Sequence, residues 1–292
     1  MKGRIEMLGQ NFEFAGYAAN GCPRFMHVAS GIPFQYVPGG SFMMGFSESE
    51  ERAALAISDV PQLTVEEMRP VRPRVVHPML VSVAPVLNVQ CSDEKNEFSY
   101  GPAYLSREDA EKFASEIGCR MPGEAEWEYM YRAGTQTLFP FGDSLPSDDE
   151  LEKWLSSDFA SLIEYFDSRP KFEPIPNLQC NAFGLYGMTN PEWCLNRFTT
   201  SLAPDAPQLD GSYVIRGGGA YFWPWQDEEW VWCVSAMRSP SSGLEEGTAC
   251  LRLVLNVRAS QLRAEIRDAG LDVPADRRED ASSLSESNDE PS

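Results

Sequence analysis

A run of aromatic and acidic residues beyond position 220 has the composition of a binding surface. Residues 221–232 read YFWPWQDEEWVW and hold six aromatic side chains and three consecutive acids. Pro224 excludes a regular central strand over the first half of this run, whereas Trp230 and Trp232 fit the alternation of a core strand. Tryptophan and tyrosine dominate interface energetics, and the acids suit a basic partner. The residues predicted to bind a partner are Tyr221, Phe222, Trp223, Trp225, Asp227, Glu228 and Glu229.

Residue types that hold metals or form cross-links are sparse. The histidines are His27 and His77, and no Cys-x-x-Cys pair occurs, so we expect no structural zinc site. The odd number of cysteines, without close pairs, does not suit a disulfide framework, and we expect reduced, mostly buried thiols. The cysteines are Cys22, Cys91, Cys119, Cys180, Cys194, Cys233 and Cys250. We therefore predict no metal and no cofactor.

Three glutamates alternate along one segment: Glu124, Glu126 and Glu128, with Trp127 among them. Carboxylates on a core-facing helix need arginine or backbone partners, because an unpaired buried charge is costly. We therefore predict a hydrogen-bond network that holds the fold. General acid/base catalysis by these glutamates is the alternative.

The charge balance limits the kinds of partner. The chain has 24 Lys+Arg against 44 Asp+Glu, a formal net charge of −20. Nucleic acid and anionic membrane surfaces both need a basic surface, so neither is an expected partner. A basic protein is expected instead, bound by a chain that is monomeric before the complex forms. No signal-peptide core and no apolar stretch of about 18 residues occurs, which predicts a cytoplasmic protein.

Periodicity and capping residues predict the elements that position these groups. Helices are expected at Ser106–Ile117, which begins with a capping-box-like Ser106/Asp109 pair, at Gly123–Arg132, and at Asp149–Phe159 within an acidic stretch that starts at Asp143. Strands are expected on either side of the Pro-Gly-Gly turn within residues 34–45, and further strands at Val75–Val89, Tyr213–Arg216, Trp230–Ala236 and Ala249–Val257.

These elements divide the chain into three parts. Residues 1–33 are a lead-in, residues 34–258 are one domain, and residues 259–292 are an acidic tail. The tail holds nine acidic and four basic residues, so the folded part is also strongly acidic. An amphipathic helix is predicted at 259–273, and residues 279–292 are predicted to be disordered because they cannot bury apolar surface.

Several motifs, in order, resemble the formylglycine-generating-enzyme/sulfatase-modifying-factor family. Residues 37–45 read VPGGSFMMG, similar to the opening of that family. Residues 120–129 read RMPGEAEWEY, similar to its RLPTEAEWEYA motif, and residues 181–186 read NAFGLY. Residues 214–218 read VIRGG, similar to its RGGS strand. The ordered set covers roughly residues 34–256.

The resemblance implies a C-type-lectin-like α+β domain with limited regular secondary structure. It also implies where catalysis would occur, because formylglycine-generating enzymes hold copper with two cysteine thiolates just after the RGGS motif. Thiolates are soft ligands that suit copper(I). In this chain, the two corresponding positions hold Phe222 and Asp227, so we predict that it does not generate formylglycine.

Two other metal sites of related proteins are also in doubt. The sulfoxide synthases of this scaffold need a histidine cluster for iron, and two histidines do not provide one. The family's calcium loop is about two residues shorter here at residues 185–193. Asn190 and Glu192 are the only candidate ligands that remain in it.

These observations favour a non-enzymatic protein-binding module. Some members of the family that lack the cysteines are immunity proteins, which neutralise effectors of bacterial type VI secretion systems. The resemblance therefore implies an immunity protein that binds a cytosol-acting toxin, such as a nuclease, and occludes its active site. Two alternatives remain: an enzyme with altered oxidative or metal-dependent chemistry, and a lectin-like ligand-binding protein whose aromatic loop stacks on sugars.

Overall fold

In the computed structural model, short helices pack against β-sheets in the predicted α+β arrangement. The residues described are 4–7, 10–18, 20–59, 63–92, 96–156, 158–168, 175, 177–218, 229–244, 247–258 and 262. The helices are α1 (Glu48–Ile57), α2 (Asn88–Cys91), α3 (Arg107–Glu116), α4 (Glu124–Arg132), α5 (Asp148–Leu155) and α6 (Ala160–Ser168), with 3₁₀ helices at Val65–Met68 and Glu229–Cys233. The strands are β1 (Arg4–Met7), β2 (Gln10–Tyr17), β3 (Pro23–His27), β4 (Pro33–Val37), β5 (Gly40–Met44), β6 (Arg72–Val76), β7 (Met79–Ser82), β8 (Tyr104–Leu105), β9 (Glu192–Thr199), β10 (Gln208–Arg216), β11 (Arg238–Ser241), β12 (Ala249–Cys250) and β13 (Val254–Asn256).

One antiparallel sheet joins the start of the chain to its end, in the strand order β1-β2-β3-β4-β7-β13. Three of its strands come from the segment predicted as a lead-in. Their inward-facing aromatics are fully buried, and the rings of Phe12 and Phe34 meet edge to face at 5.6 Å. Aromatic contacts of this kind add to the stabilisation from area burial alone. The lead-in therefore packs into the same core as β4.

A second sheet, in the order β11-β10-β9-β12-β8, carries the charged residues of the interior. At one end of it Arg216 lies opposite both Glu192 on β9 and Arg238 on β11. Residues directly opposite on antiparallel strands share a face, so three charged side chains leave the sheet together. Strand β9 was not predicted, because its outer residues 195–197 are exposed and interrupt the apolar pattern.

Strands β5 and β6 form a separate antiparallel ribbon. Phe42 lies opposite Arg74, and Met44 lies opposite Arg72. The face they share turns toward α4, where the ring of Phe42 lies 5.5 Å from that of Tyr129. The Pro-Gly-Gly turn therefore connects strands of two different sheets rather than the two arms of a hairpin.

The helices predicted at 106–117 and 123–132 are confirmed. Ser106 caps α3 by accepting a hydrogen bond from the backbone N–H of Asp109, and Gly118 follows the helix with a φ of 74°. Helix α4 begins where Glu126 reaches back to the N–H of Gly123 at 2.7 Å. It ends at Ala133, whose φ of 46° is left-handed.

Four predicted elements differ from the structure. The strand expected at 75–89 is interrupted at Pro78 and ends at Ser82, and the helix expected at 149–159 ends at Leu155. The strand expected over 249–257 is two short strands that pair with different sheets. The strand expected over 230–236 was wrong, since Glu229–Cys233 is a 3₁₀ helix.

No helix among the described residues is both long and apolar enough to cross a bilayer.

The buried imidazole of His27 makes folding sensitive to pH. The ring lies 5.2 Å from that of Phe12, its Nδ1 lies 2.7 Å from the hydroxyl of Ser30, and burial lowers its pKa. Below the unfolded-state pKa of about 6.5 the unfolded chain binds a proton that the folded chain binds less well. We expect the free energy of unfolding to fall as the pH decreases from 7.5 to 5.5, measured by urea denaturation.

The matched comparison uses the two histidines of the chain. His27→Asn should flatten the dependence of stability on pH in this window. His77→Asn should leave it unchanged, because His77 is exposed. Equal slopes in the two variants would contradict the role of His27.

Candidate functional site

Glu128 on α4 lies at the centre of a buried ionic network. Its Oε1 accepts hydrogen bonds from Arg132 Nε at 2.9 Å and from the backbone N–H of Gly45 at 2.8 Å. Its Oε2 pairs with Arg216, while Arg132 also reaches Glu50 at 2.8 Å. Burial raises the pKa of Glu128, but the two arginines reverse this effect and hold it below its ordinary value. The carboxylate is therefore ionised and fully engaged.

Glu124, one turn earlier, ties the same helix to the second sheet. It accepts hydrogen bonds from Arg238 Nε at 2.6 Å and from Arg216 Nη1 at 3.2 Å. Arg238 continues to the carbonyl oxygens of Thr199 at 2.8 Å and Glu67 at 3.0 Å. One carboxylate thus connects α4, β9, β10, β11 and the 3₁₀ helix at 65–68.

The third member of the predicted glutamate set is a surface group. Glu126 pairs with both Nη atoms of Arg120 at 2.7 Å, and 22% of its side chain is exposed. The predicted structural network is thus present, with an arginine partner for each of the three glutamates. Because Glu124 and Glu128 are held by arginines in the interior, their arrangement does not suit a general acid or base.

A second buried pair involves a residue considered as a calcium ligand. Glu192 accepts hydrogen bonds from Arg252 at 2.7 Å and from the indole N–H of Trp127 at 2.8 Å, and it is fully buried. The amide of Asn190, the other candidate, donates to the carbonyl of Gly187 at 2.9 Å. Among the described residues, no three His, Cys, Asp or Glu side chains cluster as a metal site would require.

The predicted binding residues lie almost entirely outside the described part of the chain. The residues outside it are Tyr221, Phe222, Trp223, Trp225, Asp227 and Glu228. Glu229 is the first residue of a 3₁₀ helix. The structure describes the residues that flank 219–228, and both flanking groups are anchored in the core.

The first anchor is the glycine pair that ends β10. Gly217 has a φ of 79°, and a Cβ added there would lie 2.2 Å from the carbonyl oxygen of Asn190, so the site requires glycine. The backbone N–H of Gly218 donates to Thr189 O at 2.8 Å, and the Thr189 hydroxyl donates to Trp154 O at 3.1 Å. Gly218, which precedes the segment, is therefore linked to α5 through Thr189.

The second anchor is the 3₁₀ helix Glu229–Cys233. Trp230 and Val231 are consecutive residues of this helix, and both are buried. They pack in one apolar cluster with Leu151 and Leu155 of α5, and the ring of Trp230 meets that of Phe139 at 5.9 Å. Trp230 is thus a core residue, as expected, although the strand assigned to it was wrong.

Helix α5 is therefore linked to Gly218 through Thr189 and packs with Trp230, and its outer face is acidic. The exposed acids of this helix are Asp148, Asp149, Glu150 and Glu152. Leu151 and Leu155, four residues apart, fix which face is buried. This i, i+4 spacing can be recognised in the sequence. The hydrogen bond from Thr189 to Trp154 depends on tertiary structure and could not be predicted from the sequence.

The buried cysteines are unsuited to thiolate chemistry. Cys194, Cys233 and Cys250 are fully buried, and none of the described cysteines forms a disulfide. Burial raises the pKa of Cys233 to about 12 and those of the other two well above the ordinary value. A protonated thiol is neither a good nucleophile nor a metal ligand.

Neutralising Glu128 tests the buried network. Glu128→Gln leaves Arg132 and Arg216 without their shared counter-charge, and losing one partner of a buried pair costs about 3–5 kcal/mol. We expect a loss of that size in the free energy of unfolding, measured by urea denaturation.

The matched control lies two residues away on the same helix. Glu126→Gln removes a partly exposed ion pair with Arg120, keeps an acceptor for the N–H of Gly123, and should cost about 1 kcal/mol or less. If both variants lost the same stability, the interior network would not be the dominant ionic contribution.

Comparison with known proteins places these features in a family. A model described as a sulfatase-modifying factor enzyme 1-like domain matches residues 32–256. The formylglycine-generating enzyme of Bos taurus is 29% identical over 128 residues, which are 40% of this chain and 34% of the relative. That of Streptomyces coelicolor is 26% identical over 141 residues, which are 44% of each. The chain thus spans well under half the length of these curated relatives.

Solved structures support the same fold. PvdO from Pseudomonas aeruginosa superposes with a TM-score of 0.53 at 17% identity, over 78% of this chain and 96% of that one. Treponema denticola variable protein 1 gives 0.50 at 13% identity, over 77% and 95%. The predicted α+β, C-type-lectin-like fold is confirmed, and the chain belongs to the sulfatase-modifying factor enzyme 1-like family.

Proposed function

We propose that this chain is a non-catalytic member of its family that binds a basic protein. The observation that carries the proposal is the pair of residues at the family's copper-binding positions, where Phe222 and Asp227 stand in place of cysteines. Neither side chain supplies a thiolate. The buried thiols Cys194 and Cys233 do not compensate, because burial keeps them protonated.

The proposed binding surface comprises residues 219–228 and the acidic face of α5. The described residues on either side of it, Gly218 and Trp230, connect to that helix, which supports our placing the aromatic residues of the segment beside these acids. Aromatic side chains supply contact area, and clustered acids accelerate encounter with a cationic partner. The net charge of −20 favours the same kind of partner.

The finer proposal is an immunity protein that acts in the cytoplasm. It would bind a bacterial toxin, such as a type VI secretion effector nuclease, and occlude its active site. A nuclease active site binds phosphates with basic groups, so an acidic surface with aromatic side chains can occupy it in place of nucleic acid. No chemistry is required of the bound protein.

The direct test is co-purification with the product of the neighbouring gene, together with protection of cells that express that product. A stable complex and rescued growth are expected. Absence of both, or stoichiometric copper or iron in the purified protein, would contradict the proposal and favour an enzyme.

Charge on α5 should control the rate of association. In Asp149→Asn/Glu152→Gln, two exposed acids are neutralised without touching Leu151 or Leu155. We expect the association rate constant with the co-purified partner to fall by roughly threefold to tenfold at low salt, and its salt dependence to weaken. Stopped-flow or surface plasmon resonance measurements at several salt concentrations provide the test.

A control on α3 separates local steering from total charge. Glu108→Gln/Glu116→Gln removes the same number of exposed acids elsewhere on the surface. It should change the association rate constant much less. Equal effects in both variants would assign the steering to net charge rather than to the surface beside residues 219–228.

A further inference from the structure

Two arginines on β6, Arg72 and Arg74, differ from the other arginines of the interior. They are two residues apart on one strand, so both leave the same face of the ribbon, toward α4. Both side chains are half-buried, and the Nε atom of each is fully buried. The alternate residues Pro73 and Val75 face solvent.

Neither guanidinium has an acceptor among the described residues. Their buried Nε atoms make no hydrogen bond, and no carboxylate of the described chain forms an ion pair with either group. By contrast, four fully buried arginines all contact carboxylates; they are Arg132, Arg216, Arg238 and Arg252. An unpaired cation removed from water is costly, so this pair requires an explanation.

The neighbouring charged residues do not compensate Arg72 and Arg74. The network beside β6 has three carboxylates and three guanidiniums, which balance one another: Glu50, Glu124, Glu128, Arg132, Arg216 and Arg238. Burial lowers the pKa of Arg72, and repulsion by Arg74 and Arg238 exceeds the opposing attraction of Glu124. Glu67, the other nearby acid, interacts electrostatically with Arg238. Arg72 and Arg74 therefore add two positive charges that the network leaves uncompensated.

We propose that Arg72 and Arg74 form a binding site for a phosphate-type oxyanion. Two guanidiniums about 6.6 Å apart along a strand can donate to different oxygens of one tetrahedral anion. A dianion would match the two excess charges, and half-burial protects the contact from screening by salt. The site lies on a ribbon separate from residues 219–228 and does not depend on the proposed protein partner.

The test is the affinity for inorganic phosphate, measured by isothermal titration calorimetry at constant ionic strength. The wild-type chain should bind phosphate, and Arg72→Met/Arg74→Met should bind it at least roughly tenfold more weakly. Arg52→Met, which removes an exposed arginine on α1, should bind as the wild type does. Acetate at the same ionic strength should bind much more weakly than phosphate.

A second measurement excludes a merely structural role. Without phosphate, the free energy of unfolding of Arg72→Met/Arg74→Met should equal or exceed that of the wild type, because two half-buried charges without a partner carboxylate are removed. Phosphoserine in place of inorganic phosphate identifies the source of the anion: tighter binding indicates a phosphorylated side chain, and equal binding indicates the free ion. Absence of phosphate binding by the wild type, equal binding by the double variant, or equal binding of acetate would overturn the assignment.

Discussion

The pairing of charges in the interior constrains the whole domain. Glu124 and Glu128 lie on the most buried helix of the described fold, where ionised groups are unfavourable unless their partners approach at hydrogen-bond distance. Those partners come from distant parts of the chain: Arg216 on β10, Arg238 on β11 and the backbone of Gly45. Strands β10 and β11, the residue Gly45 after β5, and helix α4 must all be in their native positions before these hydrogen bonds can form. The network therefore specifies one arrangement of short elements that would otherwise be held by apolar contacts alone.

The same arrangement locates the surface we assign to binding. Arg216 ends β10 in the ionic network, and Gly217 and Gly218 follow it directly. On the other side of residues 219–228, Trp230 packs in the apolar cluster that contains Leu151 and Leu155 of α5. A scaffold whose interior is locked in this way can change the residues between the two anchors without losing its fold. Such a scaffold is compatible with our proposal that Phe222 and Asp227 stand where the enzymes of the family have cysteines.

The local parts of this structure could be predicted from the sequence, and the long-range parts could not. Helix α3 has a capping serine and an apolar face, and α4 has its glutamate pattern, so both are determined by neighbouring residues. The strands before residue 30 depend on pairing with β4, and β9 is hidden by its exposed outer residues. The strand predicted at 230–236 was wrong for a different reason. A run of Trp and Val suits a buried 3₁₀ helix as well as a strand. The sequence showed that Glu128 needed a cation, but only the fold brings Arg216, 88 residues away, to it.

Charge thus has three separate roles in one acidic chain. In the interior, each buried glutamate of the described chain pairs with an arginine, and these pairs determine which elements meet. On α5, acids remain in solvent, where they cost little and are available to the basic partner that we propose. On β6, Arg72 and Arg74 lie between these two environments, too buried to be fully solvated and without a carboxylate to compensate them. A negative net charge disfavours anion binding over most of the surface. The local electrostatic field at two adjacent guanidiniums depends on the nearest charged groups rather than on the net charge of the chain. A site for a small oxyanion is therefore compatible with a surface that attracts a basic protein.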